Sequence, residues 1–87
     1  MKNLENWKEV TKGLYRYVIG ANVAYEIHVL FWDHATDIKT AKSSLFLVGE
    51  WRTKAGKNTT ERECLLSEQP LFECLAKAFE DNEENNQ

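Results

Sequence analysis

Leu14 to His34 reads LYRYVIGANVAYEIHVLFWDH, and the way this stretch folds back on itself decides the architecture. Gly20-Ala21-Asn22 interrupts two runs of alternating apolar residues. Gly and Asn tolerate positive φ, so a tight turn belongs there. A three-residue hairpin loop sets Ile19 opposite Val23, Tyr17 opposite Tyr25 and Tyr15 opposite Ile27. On the reverse side it sets Arg16 opposite Glu26. One face becomes aromatic and β-branched, and the other gains an opposite-charge pair, each such pairing contributing roughly 0.2–1 kcal/mol. A two-residue loop slips the register by one, placing Tyr17 against Glu26 and Arg16 against Ile27, so the side-chain match selects the longer loop.

The second strand continues with Val29 and Phe31 on the aromatic face. Ala24, Glu26, His28, Leu30 and Trp32 occupy the reverse face, which turns apolar toward its end. Downstream, Ser44–Arg52 reads as a third strand, apolar on both sides as a central strand is. Gly49 within it suggests a bulge or a ring lying against the backbone. Lys54-Ala55-Gly56-Lys57 supplies turn chemistry, and Thr59–Leu66 returns as a fourth strand at the edge. The connection between the second and third strands is longer than most hairpin loops. A helical turn opened by Thr36 is expected within it.

Ser67 to Asp81 carries the helical signal. Leu71, Leu75, Ala78 and Phe79 recur at i, i+4, i+7 and i+8, with Ser67 as N-cap and Pro70 in the first turn. At the other end, Asn3–Val10 reads as a short helix with Leu4 and Trp7 on one side. The expected fold is therefore α+β: a four-stranded antiparallel meander with a C-terminal helix packed on one face and a short N-terminal helix or arm. The expected domain is residues 1–81, followed by an acidic disordered tail at 82–87. A helix of roughly 14 residues is about 21 Å long and covers one face only. The reverse face is left to the N-terminal segment or to another molecule.

The chain has 87 residues and 43% hydrophobic content, which fits one small globular domain rather than a disordered segment. It has no apolar run of membrane-spanning length, and its first ten residues lack a signal-peptide pattern. A cytoplasmic location, no membrane partner and reduced thiols at Cys64 and Cys74 are expected, both thiols acting as small core hydrophobes. The net charge is −3, unevenly spread. Lys39, Lys42, Arg52, Lys54, Lys57 and Arg62 make the middle basic, while the end from Glu63 onward is acidic. Such asymmetry speaks to partners rather than fold.

No catalytic, cofactor or metal signature appears. His28 and His34 lack zinc-ligand spacing, Asp33-His34 has no third partner, and no phosphate-binding or nucleophile motif occurs. The reading that follows is a non-enzymatic protein-interaction module without cofactor or metal. It binds itself, as a homodimer, or another protein through the open sheet face. Trp32, Leu30 and His28 are its expected contacts, with Arg16 and Glu26 at the rim. The alternative is a nucleic-acid-binding module using Arg52, Lys54 and Lys57 in the turn beside Trp51.

Overall fold

A computed structural model describes residues 1–32 and 37–85, with Trp51 described by its backbone alone. The chain is α+β: a five-stranded antiparallel sheet with a C-terminal helix packed against it. The strands are β1 (Lys8–Thr11), β2 (Leu14–Gly20), β3 (Val23–Phe31), β4 (Lys42–Arg52) and β5 (Asn58–Pro70), in spatial order β1-β2-β3-β4-β5. The helix α1 spans Leu71–Asn85.

The β2–β3 hairpin has the register that its side chains demand. Tyr15 faces Ile27, Arg16 faces Glu26 and Tyr17 faces Tyr25. The turn itself differs from expectation, because Gly20 rather than Ile19 pairs with Val23 and the register shifts between Val18 and Gly20. Two turn residues plus one bulged residue consume the same length of chain as a three-residue loop, so the downstream pairing is unchanged.

The fifth strand lies at the N-terminus, where a helix was expected. Leu4–Asn6 makes only a 3₁₀ turn, and the side chain of Asn3 does not cap it. Lys8–Thr11 then pairs with β2 through a Lys12-Gly13 turn in which Gly13 takes φ +83°. Trp7 is buried on the helix side of the sheet. Its ring lies 5.6 Å from that of Tyr17, and its indole Nε1–H donates to the Met1 carbonyl at 3.0 Å. The arm therefore reinforces the face that α1 already covers.

The start of the helix also moves. Ser67–Pro70 belongs to β5, with Lys42 opposite Pro70 and Ser43 opposite Gln69, and α1 begins at Leu71. A register shift between Ser43 and Leu45 accommodates Glu68, whose φ is 51° and whose N–H donates to Ser44 Oγ at 3.1 Å. Sheet pairing with β4 outweighs the helix-capping signal of Ser67. At the far end the helix runs through residues 82–85, which were expected to belong to the tail.

The core lies between α1 and the sheet. Tyr25, Ile27 and Leu45 meet Leu71, Cys74, Leu75 and Ala78, with Trp7 at one side. The Tyr25 hydroxyl donates to Asp81, tying the helix's acidic end to the central strand. Burial, together with the neighbouring Asp81 carboxylate, pushes the Tyr25 phenol well above its usual range. Burial likewise raises the Cys74 thiol to about 11, with Glu73 adding to the shift. Cys74 fills the core as expected. Cys64 does not, since it is exposed. Gly49 shows no bulge, and no ring of the described side chains lies against it. It pairs regularly with Val23 and Glu61, and an added Cβ would meet nothing within 4 Å.

Candidate functional site

The face of the sheet opposite α1 is built around Glu26. The pairings Arg16–Glu26, Glu26–Phe46, Ala24–Val48 and Val48–Arg62 bring residues from four strands onto it. The register of β4 thus places Phe46 and Val48 on this face, and Leu45 against the helix.

Glu26 lies in the middle with its side chain only 2% exposed. Arg16 donates to its Oε2 from Nε at 3.0 Å and from Nη2 at 2.9 Å. His28 donates from Nε2 to Oε1 at 3.1 Å, and Arg62 Nε stands 3.6 Å from the same oxygen. Burial alone would raise the carboxyl's pKa. The hydrogen bonds from His28 and Arg16 and the charges of Arg16 and Arg62 outweigh burial and hold it below its ordinary value.

The three partners are themselves accessible: Arg16, His28 and Arg62 side chains are 39%, 36% and 49% exposed. The guanidinium donors not spent on Glu26 remain available at the surface. Phe46 supports the cluster, its ring 4.8 Å from that of His28. Beside it is an open hollow of about 270 Å³, lined by Arg16, Val18, Asn22, Val48, Thr60 and Arg62 among others. Val18 is 66% exposed at its edge. The result is a mixed surface: exposed Val18 sits beside the cationic donors of Arg16 and Arg62, the deep Glu26 carboxylate is already paired, and the exposed Glu50 also borders the hollow.

Of the five residues expected to contact a partner, the structure joins Arg16, Glu26 and His28. Trp32 and Leu30 stand elsewhere. The register shifts between Val29 and Phe31, so strict alternation ends there. Trp32 is half-buried and lines a different hollow with Glu9, Tyr15, Val29 and Ile38. Phe31, expected under the helix, is 69% exposed. Arg62 and Val18 were not singled out from sequence. Their alternation with the Arg16–Glu26 pair was the available signal for Val18, whereas Arg62 depended on the β4–β5 register.

Arg52, Lys54 and Lys57 are exposed around the β4–β5 turn, where Gly56 takes φ +82° and Thr53 and Lys57 share hydrogen bonds. Asp33, His34 and Thr36 lie outside the described residues. The 3₁₀ turn that follows is Ile38–Thr40, capped by Asp37, whose side chain accepts from the Lys39 N–H. Among the described residues no group of three or more His, Cys, Asp or Glu side chains is placed to hold a metal ion, and no helix is long and apolar enough to cross a membrane. No protein-family model matches the chain, and no curated protein and no solved structure resembles it significantly.

Proposed function

We propose that the protein is a non-enzymatic interaction module whose open sheet face docks a segment of another protein carrying apolar side chains flanked by carboxylates. The observation that carries this reading is the Glu26 cluster. A buried carboxylate gathers two guanidinium groups and an imidazole, orients them, and leaves their remaining donors outward beside exposed Val18. Arg is suited to bidentate recognition of a carboxylate, and an anchored guanidinium loses less freedom on binding than a mobile one. A second copy docking face to face about a twofold axis brings like cations toward each other, which favours an unlike, acidic partner over a homodimer.

A displayed random-peptide library selected on the full chain tests the reading. Enriched peptides should pair aliphatic or aromatic residues with Asp or Glu. Their binding should fall at least about tenfold with Val18→Asp and with Arg62→Glu, as for truncation of an interface centre. Substitution of Lys77, on the helix, should leave binding unchanged. Peptides that lack acidic residues, or that bind both face variants as well as the parent, contradict the proposal.

The exposed Arg52, Lys54 and Lys57 favour a second reading, a phosphate-backbone contact at the β4–β5 turn. Glu50 stands among the residues of the open face, Glu61 and Glu63 are exposed on β5, and the net charge is −3, all of which weigh against it. Binding of a random oligonucleotide at low salt that is lost steeply as salt rises would favour this reading over the first.

A further inference from the structure

At the opposite end of the sheet from the Glu26 hollow, on the helix side, β1, β2 and the end of β3 enclose a hollow of about 320 Å³. Tyr15, Phe31 and Trp32 supply its aromatic surface, and Val29 and Ile38 its aliphatic surface. Glu9 lies directly across the strand pair from Tyr15 and lines the same hollow. Among the described residues Phe31 is the most exposed large apolar side chain, at 69%. The register shift between Val29 and Phe31 is what brings Phe31 and Trp32 to line one hollow, against strict strand alternation.

We propose that this hollow binds a methylated ammonium group. The faces of Tyr, Trp and Phe rings carry negative quadrupole density and attract cations, and the Glu9 carboxylate adds a fixed negative charge at one wall. Among the described residues, Glu9 and Tyr15 supply the hollow's side-chain acceptors. A primary ammonium entering it would lose water and satisfy only part of its three N–H donors at Glu9, the others facing Val29 and Ile38, whereas a trimethylammonium group has no N–H to satisfy. The volume is near the lower end of the range for ligand pockets, which suits a small headgroup or one side chain rather than a large cofactor. Lys12, at the Gly13 turn, also borders the hollow and opposes a cation. It is exposed and flexible, and its removal has a predictable sign. The site is independent of the docking face and stands whether or not that face binds protein.

The test follows the backbone amide and the Trp32 indole signals of the full chain by NMR during titration with choline and with its neutral isostere 3,3-dimethylbutan-1-ol. Choline should shift resonances of Tyr15, Phe31 and Trp32 and bind at least about fivefold more tightly than the isostere, the size of effect a cation–π contribution gives. Phe31→Ala, at an exposed position, and Glu9→Gln should each weaken choline by a similar factor, and Lys12→Gln should tighten it. A trimethyllysine peptide and its unmethylated form distinguish the source. Tighter binding of the methylated peptide than of choline assigns the group to a modified side chain, and equal binding assigns it to a small molecule. Equal affinity for choline and the isostere, weaker binding in Lys12→Gln, or no shift at these residues at millimolar choline overturns the proposal.

Discussion

Replacing Trp7 by alanine is expected to lower the unfolding free energy by about 3–5 kcal/mol, the range for deleting a buried aromatic. The indole is 6% exposed, packs on Tyr17 and belongs to the same cluster as Tyr25, Ile27 and Leu71. Its Nε1–H also fixes the Met1 carbonyl, so the arm loosens with it. A domain of this size has roughly 5–15 kcal/mol in all, and each kcal/mol moves the melting temperature by about 4–8 °C. A fall of roughly 15 °C or more in thermal unfolding is therefore expected. A loss below about 1 kcal/mol would match a surface substitution and contradict a structural arm.

The second large effect is at Glu26. Glu26→Gln keeps the shape but removes the charge that holds Arg16, His28 and Arg62. The charge-assisted bonds lost are expected to cost about 2 kcal/mol in urea unfolding. Because the Arg16 and Arg62 side chains are substantially exposed, they turn to water in the variant, and the cost stays below that of stranding a buried charge. The pH dependence carries its own signature. The folded Glu26 carboxyl has a lowered pKa. Its stabilisation is fully present above the unfolded value of about 4.3 and fades as pH falls through the folded value. The parent should therefore lose stability on acidification through that window, and Glu26→Gln should lose less. Equal acid slopes in the two proteins would contradict the description of the cluster. Because the cluster also orients the outward donors, the same substitution should weaken any acidic peptide selected on this face.

The parts of the fold legible in sequence were those where side chains discriminate between alternatives. Arg16–Glu26 and Tyr17–Tyr25 fit in only one register, so the central hairpin could be read directly, and its bulge at Ile19 left that register intact. The apolar stripe of Leu71, Leu75 and Ala78 likewise identified the helix. The first strand gave no such signal. All four residues of Lys8–Thr11 are exposed, and their pattern lacks alternation. Leu4 and Trp7, three apart, imitate a helix face although Leu4 begins and Trp7 caps a single 3₁₀ turn. Ser67 and Pro70 carry valid helix-start chemistry, but hydrogen bonding to β4 extends the strand past them, a competition that local sequence does not contain.

The candidate site divides along the same line. Alternation from Glu26 correctly joined Arg16 and His28. Carried further along β3 it failed, because the register shift between Val29 and Phe31 ends strict alternation, and Trp32 and Leu30 come to line another hollow. Arg62 could be placed only once the β4–β5 register was known. What covers the reverse face also turned on a long-range fact. Trp7 packs against Tyr17 on the helix side, so the arm and the helix share one face.

The bareness of the reverse face in the isolated chain is tested most directly by urea unfolding of Val18→Asp. Val18 is 66% exposed, so an aspartate there should remain hydrated and lower stability by less than about 1 kcal/mol. A loss of about 3 kcal/mol or more would mean that a carboxylate at this position is driven into an apolar contact, with the face sealed by its own chain or by a second copy.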